Sequence, residues 1–462
     1  MVWRTYLVAV RSELVRTLAV RILGVLLAFV STTITARLLG PEQFGAWSAG
    51  LSLATLLAAL APLGMDRVLV RQLSVLSDDT GRAAKLAIAH SCALRFGVLL
   101  LAIGVLAGGV CRLAGWSDWS ETLLLGSLLL TPLTLTWLRQ WAAIPLVGTR
   151  AAVLPEQVLI PAGTVVIFGA LQGLSVTLTA TTAALVFTVL SILVWAMSTF
   201  RGELGRLYLS AIRGRSDFCT DLRGRATEGL QFVPMAVGPM LCQRFTPLVM
   251  AACCGFEEIA HFSYALLITG IPAIPMGILN LNLIPPLARM YQVGDTGGQQ
   301  RIVEKSATAS LSIALLLSAL ILLTAPLIPL VLDPRYAPVP TLIPALLLAM
   351  LADCATGPTF SVMQTLGLER TYLRLLATLV PLQMLLIFCF GTLASVQGAA
   401  VGYCLGRMLW NIAAVTVIWR ARRLLLLPSL RSLRAGWQQL LRNASAQPLL
   451  PAVGDNDLRR VA

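Results

Sequence analysis

The sequence predicts an all-α, polytopic membrane protein of about twelve transmembrane helices in two pseudo-symmetric six-helix lobes, with both termini in the cytoplasm. Three observations predict it. The chain is 57% hydrophobic and 12% charged, with a mean hydropathy of +0.82, so most of it cannot face water. Apolar runs of about 20 residues recur throughout, the length that crosses roughly 30 Å of hydrocarbon. Finally, one turn is written twice, half a chain apart. Arg37-Leu38-Leu39-Gly40-Pro41-Glu42-Gln43-Phe44-Gly45-Ala46-Trp47-Ser48 is answered by Cys254-Gly255-Phe256-Glu257-Glu258-Ile259-Ala260-His261-Phe262-Ser263. Gly40, Glu42 and Ser48 match Gly255, Glu257 and Ser263, which reads as the same hairpin opening two homologous halves.

In chain order, Val2 to Arg21 sets Trp3, Tyr6, Leu7 and Val10 against Arg4 and Arg11, the pattern of an interfacial helix. It is too polar for a cleaved signal peptide. Spans follow at 17–39, 44–70, 84–110, 120–144, 153–172, 177–199, 229–253, 258–288, 306–331, 339–364, 371–391 and 396–419. Gly40-Pro41 stops the first, because proline lacks an N–H and glycine accepts positive φ. Pro234, Gly238-Pro239, Pro272, Pro275, Gly277 and Pro285-Pro286 crowd the seventh and eighth spans as candidate hinges, although such residues are common in membrane helices. Gly104-x-x-x-Gly108 and Gly402-x-x-x-Gly406 allow close helix packing.

Basic residues fix the expected orientation. Of 35 lysines and arginines, 29 fall at one set of flanks, and only Arg37, Arg112 and Arg335 fall at the other. The populated side is the cytoplasm, which places both termini there. The net charge of +14 therefore reflects topology and anionic inner-leaflet lipid, and calls for no nucleic acid. The division this implies is a first lobe at 1–200, a basic cytoplasmic linker at 201–227, a second lobe at 228–424 and an amphipathic tail at 425–462. In the tail, Leu430, Leu433, Trp437 and Leu440 form a stripe beside Arg431, Arg434 and Arg442.

Nine cysteines without paired spacing and only two histidines, His90 and His261, leave no disulfide framework, metal site or histidine-based catalysis to expect. The ionisable residues inside spans are the informative ones, since a charge there is expensive without a partner or a wet cavity. Counting along each span puts Arg244, Arg407 and Asp353 near the midplane and Arg95 closer to the inside. Three arginines against one acid leave unpaired positive charge. Arg95 also fits a snorkelling residue, and Arg407 a structural pair with Asp353. Asp66, Arg67, Arg71 and Arg139 stand at inner span ends, as a gate or capture site or as ordinary anchors. Arg37, Glu42 and Glu257 belong to the outer turns, where shaping or latching is the expected role. Asp353, a buried carboxylate, is the candidate carrier of a coupling proton or sodium ion.

The first hairpin followed by Leu63-Gly64-Met65-Asp66-Arg67-Val68-Leu69-Val70-Arg71 resembles the start of the bacterial oligosaccharide (O-antigen type) flippases. These form the polysaccharide-transport branch of the superfamily that includes multidrug antiporters. Leu138-Arg139-Gln140, Gly148-Thr149-Arg150, Leu154-Pro155-Glu156-Gln157-Val158-Leu159-Ile160-Pro161 and Pro285-Pro286-Leu287 are similar to the same branch. One departure stands out: family members often carry an acid just after an arginine in the seventh span, whereas Arg244 is followed by Phe245-Thr246-Pro247. The resemblance implies flipping of a polyprenyl-pyrophosphate-linked oligosaccharide across the bacterial cytoplasmic membrane. Membrane lipid, and a polysaccharide polymerase and chain-length regulator, would be its partners. Arg244, Arg407 and Arg95 would then meet the pyrophosphate, whose oxygens fit the guanidinium fork. Two other classes stay open. A membrane-embedded polymerase or ligase is disfavoured by short external turns, and a cation-coupled drug exporter by the lack of acids in the first span, which offers Ser31, Thr32, Thr33 and Thr35.

Overall fold

A computed structural model describes residues 2–174, 178–213, 228–230, 232–357 and 359–429, with most of the side chains from residue 19 onward. Residues 214–227 of the expected linker and 430–462 of the tail lie outside the described residues. Among the described residues every regular element is helical. Eight helical stretches among the described residues are long and apolar enough to cross a membrane. The chain is a multi-pass membrane protein.

Two of the eight are double. The helix Val2–Leu60 breaks at Gly40, where φ 70° and ψ 172° leave the helical region just before Pro41. The stretch Glu369–Arg422 breaks at Ala394 and Ser395 and folds back on itself. Gly398 packs on Phe390, Gly402 on Leu386 and Gly406 on Gln383, the register of an antiparallel pair. At Gly402 a Cβ would fall 2.6 Å from the Leu386 carbonyl, so only glycine permits this approach. Gly104 and Gly108 of Asp79–Leu113 likewise pack on Ser127 and Leu124 of the next helix, Ser117–Val147. Both glycine motifs thus serve helix packing.

The second span differs from expectation at its end. It stops at Leu60, because Pro62-Leu63-Gly64 turns the chain with Leu63 at φ 52° and Gly64 at φ 78°. A separate nine-residue helix, Met65–Leu73, then carries Asp66, Arg67 and Arg71. The seventh and eighth spans are also interrupted. Val233–Arg244 gives way at Phe245 to Thr246–Met250, and Phe256–Thr269 ends at Gly270, three residues before Ala273–Val293 begins. The breaks therefore fall at Thr246-Pro247 and Gly270-Ile271-Pro272, while the last helix runs on across Pro285-Pro286.

Part of the expected linker belongs to the core. The helix Gly202–Arg213 buries Leu204, Leu207, Tyr208 and Ala211 among Leu86, Ile88, Cys92 and Leu138. Four such side chains on one helical face hold a segment that its arginines alone would leave in water.

By packing, the chain divides into two compact units. The first comprises Met1–Ile271, Ser318–Met350 and Glu369–Trp410; the second comprises Pro272–Leu317, Leu351–Leu368 and Asn411–Ala462. Within the second, Gln300 and Leu425 exchange two hydrogen bonds of 2.9 Å, and Arg422 donates to the Leu366 carbonyl at 2.6 Å.

Candidate functional site

The two repeated turns meet each other inside the first unit. Gly45 lies so close to the start of Phe256–Thr269 that a Cβ there would overlap the Phe256 carbonyl. One helix up, the Thr33 and Tyr264 hydroxyls are hydrogen-bonded at 3.0 Å. Tyr336, wholly buried, donates its hydroxyl to the Ala36 carbonyl at 3.0 Å, and His261 Nε2 donates to the Arg335 carbonyl at 2.9 Å. Arg335 grips Asp333 through Nε and Nη2, at 3.0 and 3.3 Å, and presses its guanidinium on Gly40, where a Cβ would fall 2.9 Å from Nη2. Gln43 accepts the Ala180 N–H at 2.8 Å, so the first turn is also tied to Ala180–Thr199. Arg37, Glu42 and Glu257 stand exposed around this junction, with Glu257 in the field of Arg335. No local signal marked Arg335 or Tyr336, which reach the turn from the connection before Val339–Thr356.

At the opposite end of the second span, Asp66 is fully buried under the Met65–Leu73 helix. Its Oδ2 accepts from Trp137 Nε1 at 3.4 Å and lies 3.8 Å from Arg67 Nε. Arg67 stacks over Trp141 at 4.0 Å, so it is pinned between an acid and an aromatic face. Arg139 is 5% exposed and gives Nη1 to the Ala152 carbonyl and Nη2 to the Ser198 carbonyl, at 3.1 and 3.2 Å. It braces three helices, and this geometry suits a structural tie better than a capture site. Arg71 alone of the four is exposed. Nearby, Gly64 and Gly229 approach so closely that a Cβ on either would overlap the other segment.

Arg244 is the last residue of Val233–Arg244. Its side chain is exposed to solvent although protein atoms crowd around it, as they do for a residue in a cleft. The break at Phe245 points to the same place, because the helix end leaves backbone carbonyls for water or ligand to satisfy. Arg407 is half-buried on a neighbouring helix: it lies in the field of Tyr372, which also neighbours Cys242, two residues before Arg244. Arg95 occupies a different environment. It shares its helical face with Val98, Leu99, Ile103 and Leu106, all more than half exposed, which is the apolar outer face of Asp79–Leu113. That position fits a snorkelling arginine rather than a cavity lining.

In the second unit Asp353 is 8% exposed, and its Oδ1 accepts from Asn411 Nδ2 at 2.6 Å. Asn411 Oδ1 in turn accepts from Thr356 at 2.7 Å, giving a short chain of buried polar groups.

Glu156 is the residue that sequence reasoning passed over. It sits on a π turn, Pro155–Leu159, inside the Thr149–Gly173 span, and its Oε2 is buried with no hydrogen-bond partner. Arg139 is its neighbouring cation. The first helix passes so near that a Cβ on Gly24 would fall 2.9 Å from the Gln157 carbonyl. The available signal was the carboxylate itself, set between Pro155 and Pro161 in an apolar run.

No family model matches the chain, and none of the curated proteins does. Solved structures do match. An inward-facing multidrug-resistance MATE transporter of the MOP superfamily superposes with a TM-score of 0.68 at 17% identity, over 86% of this chain and 94% of that one. An outward-facing MATE transporter of the same superfamily gives 0.57 at 15% identity, over 89% and 95%. A MOP superfamily transporter from Pyrococcus furiosus Vc1, described as having a binding pocket of reverse polarity that suggests a different function, gives 0.59 at 17% identity, also over 89% and 95%. The fold is the one these transporters share.

Proposed function

We propose that the protein is an alternating-access transporter of the bacterial cytoplasmic membrane that flips a polyprenyl-pyrophosphate-linked oligosaccharide from the inner to the outer leaflet. In this reading it has twelve crossings in two six-helix lobes, both termini are cytoplasmic, and the joined hairpin turns form the closed outer side. The observation that carries it is Arg244, an exposed cation in crowded surroundings at the end of a broken span. A guanidinium in such a space favours an anion over a cation. Arg407 is the second candidate contact for the pyrophosphate. Asp353, hydrogen-bonded to Asn411, carries the coupling proton or sodium ion. A polysaccharide polymerase and a chain-length regulator act beside it.

A second reading, a cation-coupled multidrug exporter, has specific support as well. Both MATE transporters named above are described as multidrug-resistance transporters, and Glu156 supplies the first-half acid that the first span lacks. The relative with reversed pocket polarity is a reminder that this fold does not dictate the charge of its cargo. Reconstitution in liposomes decides between the two. With a fluorescent polyprenyl-pyrophosphate oligosaccharide on one side and a lipophilic cationic dye on the other, proton and sodium gradients should move the lipid and leave the dye. Movement of the dye alone would establish the exporter instead.

A further inference from the structure

We propose that a crevice beside the Met65–Leu73 helix is a binding site for an anionic phospholipid of the inner leaflet. It is an open groove of about 550 Å³ within the first unit, in the size range of small-molecule sites. Arg71 and Lys85 supply two cations at its rim, while Val68, Leu76 and Phe232 give it an apolar floor. One carboxylate, Glu228, faces the same space and accepts from Gln72 Nε2 at 3.4 Å. Among the described lining residues two cations against one acid leave the charge positive, which matches a phosphate monoester or diester rather than a choline or ethanolamine group.

The apolar part selects an amphiphile over a free anion. Val75 also lines the crevice and is 83% exposed, beside Leu76 on a connection otherwise made of Ser74, Ser77 and Asp78. A bare valine at a polar helix end gains by meeting hydrocarbon. The headgroup phosphate sits between Arg71 and Lys85, and the chains leave the crevice over Val75 towards the bilayer. The site requires nothing of the transported cargo, so it stands or falls apart from the transport reading.

The test uses the full-length protein in mild detergent, equilibrated with equal amounts of phosphatidylglycerol and phosphatidylcholine and weighed by native mass spectrometry. The wild type should retain phosphatidylglycerol about fivefold more than phosphatidylcholine, and Arg71→Gln with Lys85→Gln should bring the two to parity. Val75→Ser, a change at an exposed position, should lower total occupancy while keeping the preference. An undiminished preference in the double variant overturns the proposal. So does displacement of the lipid by millimolar inorganic phosphate, which would mark a plain anion site.

Discussion

The joined hairpin turns and the end of the Val233–Arg244 helix solve opposite problems with opposite materials. At the turns, glycine lets backbones touch, tyrosine and histidine protons are spent on carbonyls, and the cation pressed on Gly40, Arg335, is neutralised by Asp333. At Arg244 the helix stops short, and the cation stays exposed in crowded surroundings. The first region is tightly packed; the second, in the proposed reading, is the open one. An alternating-access cycle needs both, a seal that excludes water and a charged space that waits for a ligand, and needs the seal to be reversible. Hydrogen bonds and glycine contacts suit that, since each is worth little alone and they can be broken in sequence.

The comparison is broken most strongly at Gly45. Gly45→Val places two methyls where the Phe256 carbonyl now lies and should cost about 1–3 kcal/mol, by analogy with overpacked cores. It should also raise labelling of a reporter cysteine at position 48 in this variant. A melting temperature and a labelling rate equal to wild type would mean the turns do not seal. Next comes Tyr336→Phe, which removes one buried donor from the Ala36 carbonyl and should cost about 0.5–1.5 kcal/mol in a denaturation midpoint. The same exchange at Tyr208, whose hydroxyl has no hydrogen-bond partner, should be near neutral. Equal losses at both sites would remove the hydrogen bond from the explanation.

The smallest effect is that of pH. Arg335 and its own N–H hold the Asp333 carboxyl below the usual carboxylate range. A depressed value means that its contribution is fully present above the unfolded value of about 4 and is lost as pH falls through the folded one. Amide protection at 333–336 should stay constant from neutral pH down to about 5 and fade only in stronger acid. Fading already at pH 6 would contradict this assignment.

Much of the joined turn pair was legible from sequence, because a turn repeated with Gly40, Glu42 and Ser48 against Gly255, Glu257 and Ser263 announces a duplicated element. Its partners were not. Arg335 and Tyr336 approach from some 70 residues beyond His261, and nothing local encodes a contact at that separation. The second span was read too long, since Met65, Val68, Leu69 and Val70 keep hydropathy high past a turn that Pro62-Leu63-Gly64 makes in three residues. Position along a span put Arg244 near the midplane and Arg95 closer to the inside, but it could not say which face of its helix Arg95 presents. Depth is a count of residues, whereas the face a side chain presents depends on neighbouring helices. Glu156 was missed for a related reason: a π turn widens one helical step without changing composition.

Arg244 is where the account is most exposed. The decisive measurement is complementation of a strain lacking its oligosaccharide flippase, at matched protein levels, by wild type, Arg244→Lys and Arg244→Ala. The cationic-space account predicts that wild type restores surface polysaccharide, that Lys restores part of it and that Ala restores none. Full restoration by Ala would contradict it, and would leave Arg244 a structural residue at the end of a broken helix.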